Sequence, residues 1–572
     1  MKKMKPLAIF GTGSDVGKSI VGAAICRYLA DIGISVAPFK AQNMSNNSGI
    51  TPEGLEMGRA QIVQAEAARI APHVDMNPVL LKPTGEKGSQ VVLNGVAFEN
   101  SSAVAYHSRK EYYFKAACDA FDRLQEKFEM IVLEGAGSCA EVNLMPSDIV
   151  NFRMAEYAGA DVILVADIHR GGVFGQLVGT LECLPQKYRD MIKGFIINRF
   201  RGDIELFKDG VEWIENRTRK KVLGVLPWYN HIKIDAEDSV EIEKIPSMSQ
   251  IESSINRGKP LIAVLKLRHI SNFTDLHALS ETPEIEVVFV DTPLELSRFK
   301  AFIIPGSKNT RSDLEWLHQT GWDKKIKEYA DSGGHILGIC GGYQILGQYV
   351  DDPEGLEGEP GRTKGLNLLP VLTVLKAPKT TTLSCFSWEG VDGEGYEIHM
   401  GHTHLTSDID HALSGTTKNE GLLDGDIAKD FHITNLKKFK DTAESIQTTS
   451  LERGEGRCSI QTTSLEIGQG TSLATAAEPM LRVHERNRQP CSDYDGVVSR
   501  ETNTCGTYMH GFFDSPEIKK KWLERIGIEG VVHPEGAQEK RSARKNRDYQ
   551  LLKEHFQKYV DIEDVLLQLR QL

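Results

Sequence analysis

The segment PLAIFGTGSDVGKSIVGAAICRYLA, residues 6–30, places a short apolar run, a glycine-rich loop and a helix-like run in immediate succession. In a strand-loop-helix unit of this kind, loop N–H groups and the helix N-terminus converge on phosphate oxygens. Lys18 is expected to reach the β- and γ-phosphates of ATP, and Ser19 to hold magnesium. A glycine-rich turn without nucleotide is the alternative. The predicted ATP-binding residues are Gly11, Thr12, Gly13, Asp15, Val16, Gly17, Lys18 and Ser19.

Short β-rich runs recur after this segment, and each is followed by a loop and helix-like sequence. They are MIVLE ending at Glu134, VILVAD ending at Asp167 and GFIIN ending at Asn198. Continuous apolar runs that alternate with helices indicate parallel strands covered on both faces. The sequence therefore predicts an α/β fold whose N-terminal part is a P-loop-type, doubly wound parallel sheet.

A charged, serine-rich stretch separates two strand-rich regions of the chain. We predict an N-terminal domain over residues 1–235, a linker over 236–258 and a second α/β domain over 259–522. A polar stretch of about 407–489 contains SIQTTSLE at 445–452 and again at 459–466, which is too little repetition for a solenoid. It is predicted to be a partly disordered surface insertion. Residues 523–572 are predicted to form a helical extension.

Length and charge limit the classes of function. A chain of 572 residues exceeds one ordinary hydrophobic core, and the net charge of −12 argues against a nucleic-acid partner. Nine scattered cysteines without a CxxC pair favour a reducing, cytoplasmic location. The apolar run near the N-terminus is too short for a signal peptide, and no stretch approaches the roughly 20 apolar residues of a membrane helix. These features do not define an oligomeric state.

Two residues outside the loop are expected to join the phosphate site. Glu134, in LEGAGS at 133–138, ends a strand beside glycines, where a carboxylate is suited to magnesium; capping a helix is its alternative role. The loop is one residue longer than the common form and lacks the early lysine of the partitioning ATPases, because position 13 is glycine. It resembles the loop of the dethiobiotin synthetase family and its amidoligase relatives. That resemblance implies that Lys40 meets the substrate carboxylate and the transferred phosphate.

The sequence HILGICGGYQILG places Cys340 between a predicted strand and a predicted helix. A tight turn at Gly341 and Gly342 would project the thiol, and the helix N-terminus would favour the thiolate. The pattern therefore predicts a cysteine nucleophile that attacks the side-chain amide of glutamine.

A thiolate of this kind needs a proton-shuttling imidazole and donors for an oxyanion. His510, in GTYMHGFFD, is the predicted base, with His399 and His402 as rivals; together with His404 these two also form a candidate metal cluster. The predicted oxyanion hole consists of Gly306, Ser307 and Gly341.

The cysteine elbow and the histidine together resemble the class I glutamine amidotransferases. Most of that class carry an acid two residues after the histidine, whereas this chain has Phe512 there. Asp514 and a backbone carbonyl are the candidate replacements. The branch that handles cobalamin precursors is similar in lacking the acid.

Longer segments resemble the cobyric acid synthase family of cobalamin-precursor amidoligases. They include KAQNMSNNS, EMGRAQIVQAEAA, EGAGSCAEVNL, DIHRGGVFGQ, GICGGYQILG and GYEIHMG. This resemblance implies amidation of the b, d, e and g side chains of adenosylcobyrinic acid a,c-diamide through acyl phosphates, with ATP, magnesium and L-glutamine and no permanently bound cofactor. Asp167, His169 and Arg170 are expected either to line the substrate side or to form a solvated cluster. The alternatives are a cobyrinic acid a,c-diamide synthase and a nucleotide-switch ATPase acting through a protein partner.

Overall fold

The N-terminal half is built around a six-stranded parallel sheet. The computed structural model describes residues 3–84, 88–229, 231–234, 258–406, 477–499, 501–530, 541–563 and 566. The sheet consists of β1 (Leu7–Gly11), β2 (Val36–Phe39), β9 (Met130–Glu134), β10 (Asp161–Asp167), β11 (Ile192–Phe200) and β12 (Lys221–Pro227). Its order is β12-β11-β10-β1-β9-β2, and every pair is parallel. The predicted doubly wound parallel sheet is therefore confirmed.

Helices cover both faces of this sheet, which explains the continuous apolar runs of its strands. Leu7 and Ile9 of β1 belong to one apolar core. Ala8 and Phe10 belong to the core on the opposite face. The helices of this half are α1 (Lys18–Asp31), α2 (Arg59–Ala67), α3 (Ala103–Ser108), α4 (Lys110–Lys127), α5 (Phe152–Ala158), α6 (Val173–Cys183), α7 (Gln186–Met191) and α8 (Lys208–Thr218).

Between β2 and β9 the chain forms two small sheets that the sequence did not predict. One has the order β3-β6-β7-β8, and the other is an antiparallel pair of β4 and β5. Their bounds are β3 (Gln42–Met44), β4 (Ser48–Ile50), β5 (Glu56–Gly58), β6 (Val79–Pro83), β7 (Gly88–Leu93) and β8 (Val96–Ser102). The β4–β5 pair, with α2 directly after it, packs against the second half of the molecule.

The second half contains a mixed nine-stranded sheet of order β15-β13-β16-β18-β27-β26-β25-β22-β23. The first five strands are parallel and the last four antiparallel. Their bounds are β13 (Leu261–Leu265), β15 (Glu286–Val290), β16 (Ala301–Ile304), β18 (His335–Ile339), β22 (Thr380–Trp388), β23 (Val391–His399), β25 (Ala477–Arg486), β26 (Gln489–Ser499) and β27 (Thr504–Thr507).

Short elements surround this sheet. They are β14 (Ile270–Ser271), β17 (Gly306–Ser307), β19 (Tyr349–Asp352), β20 (Gly361–Lys364), β21 (Val371–Val374) and β24 (His402–Leu405). The helices are α9 (His277–Ser280), α10 (Thr310–Thr320), α11 (Trp322–Asp331), α12 (Gly341–Leu346) and α13 (Pro516–Arg525). The five parallel strands and their helices place Cys340 at the carboxyl end of β18.

A strand of the second sheet, β25, begins within the range predicted for the insertion. Residues 407–476, which include both repeats, lie outside the described residues, as does the predicted linker except for Gly258. Residues 477–486, however, form β25, and a turn at residues 487–488 leads into β26. The strand β25 buries only Met480, Leu481 and Val483, so its mostly polar sequence did not indicate a strand.

The C-terminal helix returns to the first half of the molecule. This helix, α14 (Arg541–Tyr559), buries Tyr549, Leu552 and Phe556 in the core beneath α1. The backbone then pairs Val560 with Gly224 of β12. Within the described residues, no helix combines the length and apolar character that crossing a bilayer requires.

Candidate active sites

The glycine-rich loop lies at the carboxyl end of β1 and ends at Gly17, the N-cap of α1, which has φ 99°. A side chain at Gly11 would approach the Gly13 carbonyl oxygen to 2.8 Å, so the loop is tightly wound. The Nζ of Lys18 donates to the carbonyl oxygens of Gly13 and Gly137, at 2.9 Å each. Of the predicted residues, Asp15, Gly17, Lys18 and Ser19 line the cavity in front of the loop, a placement that suits phosphate binding.

Glu134 is the point at which the other predicted residues meet. Its Oε1 accepts hydrogen bonds from Ser19 Oγ and from Lys40 Nζ, both at 2.9 Å. Its Oε2 accepts one from Gln64 Nε2 on α2. Glu134 and Lys40 form a buried ion pair. The hydroxyl of Ser19 and the carboxylate of Glu134 are the oxygen donors that magnesium prefers, so these residues fit a magnesium ion.

A cavity of about 650 Å³ opens in front of this cluster. The phosphate loop and Lys40 form one wall, and Met44, Lys110 and Leu144 extend the cavity beyond the loop. Its volume suits a nucleotide together with part of a second ligand. Burial lowers the pKa of Lys110, although Asp148 opposes that shift.

Asp167, His169 and Arg170, which follow β10, have different environments. Asp167 is buried and pairs with Arg199 at 2.9 Å, and Arg199 also pairs with Asp15 of the phosphate loop at 2.8 Å. His169 and Arg170 are exposed. Asp167 therefore supports the loop through Arg199.

Cys340 lies on the turn between β18 and α12, with φ 53° and ψ −110°. This left-handed backbone conformation is strained for a residue other than glycine and is typical of a nucleophile elbow. A Cβ atom at Gly342 would overlap the Ile304 carbonyl oxygen, so only glycine allows the turn. The thiol of Cys340 is buried and lies 3.4 Å from the Ile398 carbonyl oxygen.

His510 lies beside Cys340, but the acid that holds it is not one that the sequence suggested. The Nδ1 of His510 lies 2.6 Å from Oδ2 of Asp275, whose Oδ1 accepts from the Gly511 N–H at 3.1 Å. Asp275, rather than Asp514 or a backbone carbonyl, therefore fixes the imidazole. Asp275 lies in the short turn Phe273–Leu276 after β14. Phe512 instead packs against Phe386 and Trp388.

The environment of His510 favours its charged form. Burial lowers its pKa, but the neighbouring Asp275 and Cys340 raise it by more, to about 10. An imidazolium beside a thiol stabilises the thiolate, which is the nucleophilic form.

The residues of the predicted oxyanion hole adjoin this pair. A side chain at Gly341 would lie 2.6 Å from the backbone nitrogen of Ser307, and one at Gly306 would lie 3.6 Å from Cε1 of His510. The Ser307 hydroxyl donates to Asp313 at 2.6 Å, so the backbone N–H groups are the candidate donors here. The adjoining cavity holds about 30 Å³, room for one or two water molecules, so glutamine entry requires it to open.

The rival histidines make other contacts, although His399 also lines the cavity at Cys340. His399 stacks on Tyr508 with ring centroids 3.7 Å apart, and its Nδ1 lies 3.1 Å from the Gly401 carbonyl oxygen. His402 and His404 lie on β24. In the part of the chain that the structure describes, no group of three or more His, Cys, Asp and Glu residues is arranged to hold a metal ion.

Residues of the first half also close the cavity at Cys340. Lys82 of β6 lines this cavity together with Lys308 and Lys379. Glu56 of β5 pairs with Lys82 at 2.7 Å and with Lys379 at 2.6 Å. Burial raises the pKa of Glu56, but Lys379 and Lys82 lower it by more, so it lies well below its usual value.

Two family models match the two halves. Residues 7–242 match the CobQ/CobB/MinD/ParA nucleotide binding domain, and residues 261–436 and 430–518 match the CobB/CobQ-like glutamine amidotransferase domain. A solved glutamine amidotransferase aligns over 46% of this chain and 98% of its own, at 14% identity and a TM-score of 0.27. A nucleotide-binding parallel-sheet domain joined to a glutamine amidotransferase domain defines the class: the chain is a glutamine-hydrolysing, ATP-dependent amidoligase.

Relatives that match nearly the whole length of the chain identify the family within this class of enzymes. Cobyric acid synthase of Chlorobium phaeobacteroides is 44% identical over 97% of this chain and 95% of its own length. The cobyric acid synthases of Chlorobaculum tepidum and Aliivibrio fischeri are 43% and 39% identical, over 98% and 92% of this chain and 97% and 92% of their own lengths. The chain belongs to the cobyric acid synthase family.

Proposed function

We propose that this chain amidates the b, d, e and g carboxylates of adenosylcobyrinic acid a,c-diamide, with glutamine as the nitrogen source, in the cytoplasm during cobalamin biosynthesis. The observation that carries the proposal is the pairing of two sites in one chain. Cys340, His510 and Asp275 form one site, and the phosphate loop with Lys40 and Glu134 forms the other. Residues 1–235 are assigned to the amidoligase and residues 259–522 to the glutaminase.

At the glutaminase site, the Cys340 thiolate attacks the side-chain carbonyl carbon of glutamine and forms a carbon–sulfur bond. The oxygen gains negative charge, and the N–H groups of Gly306, Ser307 and Gly341 donate hydrogen bonds to it. His510 gives its proton to the leaving nitrogen, so ammonia departs and a thioester remains. Water then hydrolyses the thioester with His510 as the base, which releases glutamate and restores the thiol. Asp275 keeps the proton on Nδ1 throughout.

At the phosphate site, a corrinoid carboxylate oxygen attacks the γ-phosphorus of ATP, so ADP leaves and an acyl phosphate forms. Ammonia attacks the acyl carbon, and inorganic phosphate leaves as the amide forms. Lys18 and Lys40 offset charge on the transferred group. Magnesium held by Ser19 and Glu134 would neutralise charge on the phosphate oxygens.

Mass spectrometry of adenosylcobyrinic acid a,c-diamide incubated with the protein, ATP, magnesium and glutamine tests this proposal. Four successive replacements of OH by NH2 are expected, and none when ATP is omitted. A parallel incubation with cobyrinic acid tests the rival substrate. Conversion of cobyrinic acid to its a,c-diamide, with no change in the a,c-diamide itself, would favour the rival synthase.

A further inference from the structure

Helix α2 lies between the two sites and contacts both. At its first residue, Arg59 Nη2 donates to the hydroxyl of Tyr396 at 2.7 Å. The Tyr396 ring stacks on His510, with centroids 5.0 Å apart and an interplanar angle of 16°. Five residues further along, Gln64 Nε2 donates to Glu134 and to the Ser19 carbonyl oxygen. One helix of nine residues thus reaches the proposed glutaminase base through Tyr396 and contacts Ser19 and Glu134 directly.

The β4–β5 pair makes a second contact from the first half to the imidazole. The Ser48 N–H donates to Oδ1 of Asn272 at 3.0 Å, and Nδ2 of Asn272 lies 3.4 Å from Nε2 of His510. Arg59 Nη2 also donates to the Ser48 carbonyl oxygen at 3.1 Å. Arg59 is therefore linked to His510 by two independent routes, through Tyr396 and through Ser48.

The backbone keeps Tyr396 and His510 in register. The Tyr396 N–H donates to the His510 carbonyl oxygen at 3.1 Å, and the reverse bond measures 2.8 Å. A change in the position of the tyrosine ring therefore acts directly on the imidazole. The intervening residues of α2 are closely packed, and Arg59 and Gln64 are separated by only about 7.5 Å along the helix axis, so a displacement at one end is expected to be transmitted to the other.

We propose that Arg59 is a positioning residue of the glutaminase, supplied by the amidoligase half, and that α2 makes glutamine hydrolysis respond to Mg·ATP. Arg59 holds Tyr396 against His510 and so fixes the plane of the imidazole relative to Cys340. Ser19 and Glu134 would hold the magnesium of Mg·ATP, which would compete with the hydrogen bonds that Lys40 and Gln64 donate to Glu134, and Gln64 lies on the same helix as Arg59. The inference rests on the proposed function, because it assumes that both sites are catalytic.

Tyr396→Phe is the sharpest variant, because it keeps the stacked ring and removes only the hydroxyl that Arg59 holds. Glutamine hydrolysis with and without Mg·ATP, and amidation driven by ammonium chloride, would be measured in the full chain. We expect the kcat for glutamine hydrolysis to fall about tenfold, with the KM for glutamine within about twofold. The stimulation by Mg·ATP should be lost. Ammonia-driven amidation should match that of the unmodified protein.

Arg59→Met removes the donor of the same hydrogen bond, which Arg59 makes to the Tyr396 hydroxyl. If both residues act through one hydrogen bond, the double variant Arg59→Met/Tyr396→Phe should be no slower than Arg59→Met alone. Additive losses in the double variant would contradict a shared route.

Thr381→Val is the matched control. Thr381 Oγ1 donates to the Gly54 carbonyl oxygen at 2.7 Å, across the same interface but without contact to His510. Its rates should stay within about twofold of those of the unmodified protein. An equal loss in this control, an equal loss of ammonia-driven amidation in Tyr396→Phe, or full Mg·ATP stimulation in Tyr396→Phe would each overturn the inference. Failure of the unmodified protein to use glutamine would instead overturn the proposed function.

Discussion

At the scale of single residues, the glutaminase site depends on a pair that lies far apart in the chain. Asp275 and His510 are 235 positions apart, yet they form a buried hydrogen bond of 2.6 Å. The usual position of the acid, two residues after the histidine, holds Phe512, which packs in the core. In this chain the acid that contacts Nδ1 of His510 is Asp275, which lies on the turn Phe273–Leu276.

Asp275→Asn should lower the kcat for glutamine-dependent amidation by at least about a hundredfold, because an amide can hold the wrong imidazole tautomer. Asp275 raises the pKa of His510, so its loss should move the alkaline limb of the pH–rate profile for glutamine hydrolysis to lower pH. Steady-state rates between pH 6 and 10 measure both effects. Asp514→Asn, the acid that the sequence suggested, is the control; the larger loss in that variant would contradict this assignment.

Cys340→Ala should abolish amidation from glutamine and leave amidation from ammonium chloride near its original rate, because only the first needs the thiolate. Lys18→Ala should remove amidation from either nitrogen source, because the charge on the transferred phosphate is then not offset. Product formation by both variants would be followed by chromatography with each nitrogen source. Loss of both activities in a folded Cys340→Ala protein would argue against separable sites.

At the scale of elements, the two small sheets between β2 and β9 join the halves. Glu56 on β5 lies between Lys82 of its own half and Lys379 of the other, and all three side chains are buried. Buried charges of this kind are tolerated only as a complete set, since removing one partner leaves the others without compensation. The interface is therefore sensitive to a single neutral substitution.

Glu56→Gln should lower the free energy of unfolding by about 3–5 kcal/mol, because two lysines stay buried without their carboxylate. The pKa of Glu56 lies below its ordinary value of 4.5, so this contribution is present above about pH 4.5 and decreases as the pH falls. Urea unfolding at pH 7 and at pH 4 measures it. Glu53→Gln, an exposed neighbour, should change the stability by less than about 0.5 kcal/mol. Equal effects of the two substitutions would contradict the ion-pair account.

At the scale of the whole molecule, the last helix completes the first domain. Tyr549, Leu552 and Phe556 form one apolar stripe of α14 that fills the core beneath α1. Polar contacts flank the stripe: Arg27 donates to Asn546 at 2.8 Å, and Tyr549 donates to Glu66 at 2.6 Å. The nucleotide-binding domain is thus assembled from both ends of the chain.

Phe556→Ala should therefore destabilise the first domain by about 3–5 kcal/mol through the cavity that it creates. Hydrogen exchange followed by mass spectrometry should show faster exchange in peptides of α1 and β12, with β18 unchanged. Gln557→Ala, the exposed neighbour on the same helix, should leave exchange as it is. Faster exchange in β18 instead would contradict this assignment of the helix.

Local sequence patterns were sufficient to locate the strand, turn and helix around the glycine-rich loop and around Cys340. At Gly11–Ser19 and at Cys340, the order of strand, turn and helix depends on consecutive residues. It can therefore be recognised without knowing which distant residues pack against it. Local patterns did not indicate the strand at the C-terminal end of the predicted insertion. A strand such as Ala477–Arg486 buries few side chains, and only its pairing with β22 and β26 distinguishes it from a polar loop.

The sequence by itself determined the α/β fold and the family, and it located the glycine-rich loop and Cys340 as the candidate phosphate site and nucleophile. Only the tertiary structure decided that Asp275 holds His510, that α2 contacts both sites and that α14 packs on the first domain. The physical reason is that periodicity and turn chemistry act over a few consecutive residues. A hydrogen bond between side chains hundreds of positions apart depends on how the sheets pack, and no local pattern encodes that packing.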